Sequence, residues 1–267
     1  MPETMSLGPR LELVASLVPE QAKLGDIGTD HAYLPIFLWE NHKITQAIAV
    51  DVHEGPYQSA RAAIHTRGLE SWIDVRLGDG LKPIQPGEVD TLTLAGMGGN
   101  TMLEIFNDSP EVLALVHTLV VQPQGAEGKV RKTLQNSGWL LAEEHLITED
   151  GRIYGVMLYS RENGQSWGDL EDLKTNWLKH LHIDRGKSEQ QERLEAFNQI
   201  FWDIGPLILE QPVPELKLLI QEHIDPLQRA IQGMKKSQKK EIYQRIKQQE
   251  LTCSLLEEMK QCLFPSA

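Results

Sequence analysis

Residues 26–35, "DIGTDHAYLP", are the most informative segment of the sequence for the fold. It has the spacing of a glycine-rich loop that ends a β-strand, begins a helix and binds a nucleotide cofactor. The usual form of that loop is D-x-G-x-G-x-G, but here Asp30 stands at the second glycine position and Ala32 at the third. The stretch is therefore a damaged dinucleotide loop, an ordinary strand–turn–helix, or a loop suited to a different ligand.

Strand-like and helical segments alternate around this loop, from about residue 7 to residue 160. The predicted helices cover residues 6–18 (with Pro9 in the first turn), 31–41, 54–67, 100–106 and 126–137. Residues 139–161 predict a closing hairpin that turns through "EDGR". Such alternation predicts an α/β fold, with a parallel, doubly wound sheet, helices on both faces and an antiparallel edge.

Beyond about residue 161 the sequence changes to helical patterns. One apolar seam repeats at spacings of 4, 3, 4 and 3, through Ile220, Ile224, Leu227, Ile231 and Met234. A looser seam, with Gln249 at a core position, runs through Ile242, Ile246, Cys253, Leu256 and Leu263. These seams predict an antiparallel helical hairpin of coiled-coil type, or one continuous helix, because Gly233 is the only helix breaker nearby. The predicted domains are thus residues 1–160 and 161–267.

The composition, 40% hydrophobic and 24% charged residues, is typical of a globular protein. No apolar run approaches the roughly 18 residues that cross a bilayer, and the first ten residues lack a signal-peptide pattern. Cys253 and Cys262 form no C-x-x-C pair, and His180 and His182 lack a carboxylate–histidine motif. We therefore expect a reduced, cytoplasmic protein without a disulfide, metal site or membrane segment, and favour a monomer.

The net charge of −12 is concentrated in the first part of the chain. Residues 1–160 hold 11 Lys and Arg against 21 Asp and Glu, whereas residues 161–267 hold 15 against 17. This balance disfavours nucleic-acid binding by bulk charge, so such contact needs a local basic patch. The candidate patch is "KKSQKK" (235–240), and the candidate base-stacking residues are Trp167, Trp177 and Trp202. The simpler interpretations are a solvated turn for residues 235–240 and core packing for the three tryptophans.

Acidic and glycine residues recur at the predicted carboxyl ends of four strands, where doubly wound sheets bind ligands. They are Asp26 with Gly28, Asp51, Asp79 with Gly80, and the "AGMGG" of residues 95–99. Asp51 is placed to accept hydrogen bonds from two ribose hydroxyls, and Asp79 from an adenine amino group. Four such features at successive strand ends indicate a nucleoside-binding edge.

Asp30 distinguishes between two cofactors. A dinucleotide places its pyrophosphate at a helix N-terminus, where the Asp30 carboxylate would repel it. S-adenosylmethionine has no phosphate, but carries an ammonium, a carboxylate and a sulfonium. Asp30 or Asp26 is suited to the ammonium, and Arg10 to the carboxylate. The loop therefore favours S-adenosylmethionine over NAD.

Six motifs in this order carry a family resemblance: "LGPRL" (7–11), "DIGTDHAYLP" (26–35), "DVHEGP" (51–56), "GDGL" (78–81), "LAGMGG" (94–99) and "QPQG" (122–125). They closely resemble the bacterial TrmK family, the tRNA methyltransferases that act on N1 of adenine 22. The resemblance spans about residues 7–160 and continues more weakly through "FWDIGPLILE" (201–210). It implies a Rossmann-like class I S-adenosylmethionine-dependent methyltransferase sheet, a C-terminal coiled-coil-like helical domain, and tRNA as the partner.

The resemblance also implies which residues surround S-adenosylmethionine: Arg10, Asp26, Gly28, Thr29, Asp30, His31, Asp51, Val52, Asp79, Gly80, Ala95, Gly96 and Met97. His31 and Asn100 are the candidate catalytic residues that contact the target base. Enzymes that methylate the exocyclic amine of adenine usually carry N-P-P-[YF] after strand 4, whereas this chain has Ala95–Gly98, which disfavours N6 methylation.

N1 of neutral adenine has a free lone pair, so we expect a positioning mechanism without an obligatory general base. Three alternatives remain at this stage. The same fold and cofactor serve another RNA, a protein or a small molecule; the pocket is a non-catalytic binding module; or the enzyme is an NAD-linked oxidoreductase.

Overall fold

The structure is a computed structural model that describes residues 5–235 and 240–265. Its internal contacts divide the chain into two compact units, one ending at Gln165 and the next beginning at Ser166. Most of the predicted basic patch "KKSQKK" lies outside the described residues.

The described residues of the first unit form a seven-stranded sheet in the order β3-β2-β1-β4-β5-β7-β6. Its strands are β1 Ala22–Ile27, β2 Ile44–Asp51, β3 Ile73–Leu77, β4 Thr91–Met97, β5 Thr118–Pro123, β6 Leu140–Glu149 and β7 Arg152–Ser160. The neighbours among β1 to β5 are parallel, and β7 is antiparallel to both β5 and β6. The predicted α/β fold with an antiparallel edge is therefore confirmed.

The helices of this unit are α1 Pro9–Leu17, α2 Tyr33–Glu40, α3 Glu54–Arg67, α4 Gly99–Asp108, α5 Pro110–Leu113 and α6 Glu127–Asn136. The prediction that a helix begins at residue 31 is wrong, because α2 begins at Tyr33. Asp30 and Ala32 have φ values of 53° and 54°, which a right-handed helix does not accommodate. His31 consequently lies in the turn before the helix.

The centre of the sheet is buried on both faces, as the near-continuous apolar runs of its strands require. Leu24 of β1, Leu92 of β4 and Val120 of β5 are completely buried. The ladders align the carboxyl ends of the parallel strands, with Asp51 opposite Leu77, Ile27 opposite Leu94 and Ala95 opposite Gln122. This common edge brings the acidic and glycine residues of different strands together.

The second unit is helical, with α7 Trp167–His180, α8 Gln191–Ile204, α9 Pro214–Met234 and α10 Lys240–Leu263. Polar contacts join α9 to α10 in opposite directions along the two helices. Gln228 donates to Glu257 at 3.3 Å, and Lys260 donates to Gln221 at 2.6 Å. The antiparallel hairpin is confirmed, and the alternative of one continuous helix is wrong. Its coiled-coil character stays a prediction.

The predicted seams are largely internal to this unit. The buried members are Ile220, Ile224, Ile231, Ile246, Cys253 and Leu256. Oε1 of Gln249 is buried without a hydrogen-bond partner among the described residues. Trp177 and Trp202 are buried, and Trp167 stacks on Trp202 with a ring separation of 5.2 Å. These contacts favour core packing for Trp177 and Trp202.

Candidate active site

Asp26 is a buried carboxyl near the end of β1, with 5% of its surface exposed. The Thr93 hydroxyl on β4 donates a 2.6 Å hydrogen bond to its Oδ1. Burial raises the pKa of Asp26; the bond from Thr93 lowers this pKa and the nearby charge of Asp51 raises it. The Thr29 hydroxyl is close enough to lower the pKa as well, although its geometry falls short of a hydrogen bond. A cation beside Asp26 would relieve the cost of the buried charge.

The loop after β1 folds back onto the end of β2. The backbone N–H groups of Gly28 and Thr29 both donate to the Val50 carbonyl, at 2.9 Å and 3.1 Å. The Asp30 N–H donates to Oδ2 of Asp51 at 3.3 Å. Gly28 reaches this path with a φ of 76°, a value that glycine adopts without strain. The two loop residues that departed from the glycine pattern, Asp30 and Ala32, keep the same left-handed conformation.

Asp51 ends β2, and both of its oxygens accept backbone N–H groups. Oδ1 accepts from His53 at 2.9 Å, and Oδ2 accepts from Asp30, while the side chain is 9% exposed. Each carboxylate oxygen has a second lone pair, so the group keeps acceptor capacity for two further donors. The loop thus fixes the orientation of this carboxylate.

Two exposed apolar residues flank Asp51. Val52, the next residue in the chain, is 54% exposed, and Leu77, opposite Asp51 in the ladder, is 46% exposed. Apolar surface beside a fixed hydrogen-bond acceptor is what an adenosine needs. Val52 was a predicted site residue; Leu77 was missed, although its place at the end of a strand was a usable signal.

The end of β4 brings the first loop and α1 together. The register shifts between Ala95 and Met97, and Gly96 has a φ of 81°. A Cβ at position 28 would lie 2.9 Å from Cε of Met97, and a Cβ at position 96 would lie 3.5 Å from Nη1 of Arg10. The missing side chain of Gly28 leaves the space that Met97 occupies, whereas at Gly96 the positive φ is the reason for glycine.

Arg10, at the beginning of α1, is held by three side chains. Its Nε donates to Oε2 of Glu149 at 3.2 Å, and its Nη1 donates to Oε1 of Gln122 at 2.9 Å. The guanidinium also lies 5.5 Å from the ring centre of Tyr154. Sequence reasoning missed all three partners. Gln122 stands in the "QPQG" motif, which was a signal, whereas Glu149 and Tyr154 lie in the hairpin and carried none.

Other predicted site residues have partners of their own. The Asp79 side chain is 59% exposed and pairs with Lys82, and Gly80 lies against Ile105. Oδ1 of Asn100 accepts from Nζ of Lys129 at 2.7 Å. In the described part of the chain, no hydrogen bond joins Asp79 or Asn100 to Asp26 or Asp51.

His31 lies at the exposed side of the first loop. Its ring stacks on Tyr33 at 5.1 Å, and its Nε2 lies 3.5 Å from Oδ1 of Asp30. With 43% of its side chain exposed, it is accessible to a ligand. Its role at the target base stays a prediction.

A family model described as a methyltransferase domain matches residues 7–157 of this chain. The chain belongs to this methyltransferase family. The match covers α1 and the whole sheet almost to the end of β7, so the candidate site lies inside it.

Relatives of this methyltransferase include a tRNA (adenine(22)-N(1))-methyltransferase from Bacillus subtilis, 39% identical over 154 residues. That match covers 58% of this chain and 65% of the relative, which is just under two thirds of the relative's length. The crystal structure of the B. subtilis M1A22 tRNA methyltransferase TrmK is similar with a TM-score of 0.78 and 28% identity, over 96% of this chain and 99% of that one.

A second solved structure is that of a putative tRNA (m1A22) methyltransferase from Streptococcus pneumoniae, in complex with S-adenosyl-L-methionine. It has a TM-score of 0.71 and 29% identity, over 95% of this chain and 99% of that one. The predicted resemblance to the TrmK family is confirmed.

The described residues of this methyltransferase contain no group of three or more His, Cys, Asp or Glu that could hold a metal ion. None of its described helices has the length and hydropathy to cross a membrane.

Proposed function

We propose that this methyltransferase transfers a methyl group from S-adenosylmethionine to N1 of adenine 22 of tRNA. The observation that carries the proposal is a cofactor site: the fixed Asp51 carboxylate at the end of β2 lies near buried Asp26, and the loop from β1 to α2 contains no Lys or Arg. Relatives with this named activity, and a neighbour with the cofactor bound, support it.

The residues present fit S-adenosylmethionine. The buried carboxyl of Asp26, with its raised pKa, suits the ammonium of the cofactor. The guanidinium of Arg10, held by Glu149, suits the carboxylate, and the two oxygens of Asp51 beside apolar surface suit the adenosine. The buried Thr29 hydroxyl has no hydrogen-bond partner in the described structure and is free to bind a ligand. A dinucleotide does not fit as well, because the 70% exposed Asp30 carboxylate stands where a pyrophosphate would bind.

In this proposal the cofactor is held at its two ends. Asp26 and Asp30 face the ammonium, and Arg10 binds the carboxylate. Asp51 accepts the ribose hydroxyls, and Val52 packs on the adenine. The remaining residues of the proposed cofactor site are Gly28, Thr29, His31, Asp79, Gly80, Ala95, Gly96 and Met97.

The chemistry requires alignment more than proton transfer. The bound cofactor supplies an electrophilic methyl group on a sulfonium. N1 of adenine forms a bond to this methyl carbon with its own lone pair while the S–CH₃ bond breaks and S-adenosylhomocysteine leaves as a neutral thioether. The protein therefore has to orient the base in line with the S–CH₃ bond. The adenine becomes cationic, and the carboxylates of Asp26 and Asp30 stabilise that charge. His31 and Asn100 are the proposed contacts to the base.

The proposed partner is tRNA, in the cytoplasm. Residues 161–267, with the antiparallel hairpin, form the proposed helical domain, and residues 1–160 form the proposed cofactor-binding domain. The near-neutral charge of the helical part repels a polyanion less than the acidic sheet domain does.

The test is incubation of unmodified tRNA with tritiated S-adenosylmethionine, followed by nucleoside mapping. We expect label in N1-methyladenosine, and no label when adenine 22 of the same tRNA is replaced by guanine. Label in a different nucleoside, or in the guanine-22 tRNA, would contradict the assigned substrate. If the protein binds S-adenosylmethionine but labels no RNA, the proposed tRNA methyltransferase activity is excluded.

A further inference from the structure

Helix α1 obtains the cap of its N-terminus from a distant strand. Gly8 is the N-cap residue and provides no side-chain cap. Instead, Oε1 of Glu149, at the end of β6, accepts the backbone N–H of Arg10 at 3.1 Å. A carboxylate at a helix N-terminus is favoured by the unpaired N–H groups there and by the helix dipole.

The other oxygen of the same carboxylate holds the Arg10 side chain. Oε2 of Glu149 accepts from Nε of Arg10 at 3.2 Å, and the two side chains are 22% and 20% exposed. One carboxylate therefore fixes both the backbone and the guanidinium of a single residue. Such a double contact removes most of the rotational freedom of a long side chain.

The surrounding backbone is built to allow this contact. A Cβ at position 8 would lie 2.6 Å from Oε1 of Glu149, so a side chain there would displace the carboxylate. Asp150 and Gly151, both with positive φ, make the tight turn that pairs Glu149 with Arg152. That turn sets the register, and a slip of one residue would move Glu149 to the opposite face of the hairpin.

The hydrogen bonds that hold Arg10 leave some of its guanidinium N–H donors available for a ligand. The bonds to Glu149 and Gln122 use two of the five N–H donors of the guanidinium. In the described structure the remaining three are not hydrogen bonded, and Nη1 lies beside Gly96 at the end of β4. Glu149 of β6 and Gln122 of β5 thus hold the guanidinium in place, and three of its donors remain for a ligand.

We propose that Glu149 is a positioning residue that directs the Arg10 guanidinium at the carboxylate of S-adenosylmethionine. This inference rests on the proposed function. Its chemical consequence is selectivity, because only a cofactor with a carboxylate benefits from the orientation of Arg10.

The experiment measures calorimetric affinities, without tRNA, for S-adenosylmethionine and for decarboxylated S-adenosylmethionine, which keeps the ammonium and the sulfonium. Glu149→Gln should weaken S-adenosylmethionine about 10-fold, the size of one charge-assisted hydrogen bond, and leave the decarboxylated form within about twofold. In an Arg10→Ala background, adding Glu149→Gln should change neither affinity by more than about twofold.

The matched control is Glu40→Gln. Glu40 accepts from Nη1 of Arg67 at 2.6 Å, and these side chains are 20% and 17% exposed, so the pair has nearly the same burial. This variant should leave both affinities within about twofold. If Glu149→Gln does not fold, Glu149→Asp keeps the charge but is too short for both contacts, and should show the same selective loss at smaller size.

Three results would overturn the inference. Unchanged affinity for S-adenosylmethionine in Glu149→Gln would exclude the positioning role. Equal weakening of both ligands would show that Glu149 only supports the fold. If the unsubstituted protein binds neither ligand, the proposed function itself is wrong. This result differs from the first two, which exclude only the positioning role of Glu149.

Discussion

The Thr93 hydroxyl donates a 2.6 Å hydrogen bond to the carboxyl of Asp26, its register partner on the adjacent parallel strand. Both residues are buried, so the sheet core itself carries an ionisable group. Burial raises the pKa of Asp26, and the nearby hydroxyls of Thr93 and Thr29 only partly offset this rise. An arrangement that is unfavourable for the free protein but favourable once a cation binds is typical of a functional site.

Replacing Asp26 with Asn should therefore stabilise the cofactor-free protein at neutral pH. The raised pKa means that the folded state disfavours the ionised form, at about 1.4 kcal/mol for each pKa unit. The penalty exists above the folded pKa of Asp26 and is absent below the ordinary value of 3.8. The gain in Tm over the unsubstituted protein should thus be largest near pH 8 and shrink as the pH falls.

Thermal melts of both proteins across that pH range measure the effect, with Asp172→Asn as the control on an exposed carboxyl. The control should change Tm near pH 8 by less than Asp26→Asn does. A gain for Asp26→Asn that grows on acidification would contradict the assigned direction of the pKa.

Asp51→Ala should lower the affinity for S-adenosylhomocysteine at least about 100-fold, because two hydrogen bonds to a charged acceptor are lost together. Asp79→Ala should cost less than about 10-fold, since the Asp79 side chain is 59% exposed and already paired with Lys82. Calorimetry compares the two directly. A larger loss for Asp79→Ala would mean that the ribose is not held by Asp51.

Gly99→Ala should destabilise the protein by about 1–3 kcal/mol through overpacking. A Cβ at position 99 would lie 2.5 Å from the Gly125 carbonyl oxygen and 2.9 Å from Val130, where α4 meets the loop after β5. The matched control is Gly55→Ala at the start of α3, where a Cβ would meet nothing within 4 Å. Gly55→Ala should stabilise the folded protein by about 0.5–1 kcal/mol, because alanine loses less conformational entropy than glycine in a helix. Urea denaturation gives both values, and equal effects would refute the close approach.

Glu144→Ala should cost about 3–5 kcal/mol, because it leaves the buried guanidinium of Arg131 without its carboxylate. Nε of Arg131 donates to Oε1 of Glu144 at 2.5 Å, and their side chains are 1% and 0% exposed. Changing both residues to Met and Leu should cost less than this single change. The exposed pair of Lys247 and Glu192 is the control, with an expected contribution below about 1 kcal/mol. Similar losses at the two pairs, measured by denaturant unfolding, would contradict this account.

Much of the candidate site was predictable because its signals are local. Asp26 with Gly28, and Asp51, each follow an apolar strand-like run, and parallel strands end at one edge of a sheet. The hairpin of the second unit was also predictable, since the spacing of apolar residues sets the face of a helix. The start of α2 was not, because the left-handed turn at Asp30 and Ala32 forms together with a hydrogen bond from the Asp30 N–H to Asp51 of β2 and one from the Ala32 N–H to Thr29.

Local sequence signals were enough to predict the order of strands and helices along the chain, the sheet edge where the candidate site lies, and a loop suited to a ligand without phosphate. Periodicity, turn residues and motif spacing all act over a few neighbouring residues, so they can be recognised in one chain. The contacts of Glu149, which is 139 residues from Arg10 in the chain, become visible only in the folded structure, where it caps α1 and holds the Arg10 guanidinium. That contact depends on strand register and on the missing side chain of Gly8. Likewise, the pKa of Asp26 follows from its burial, which arises only when the strands assemble.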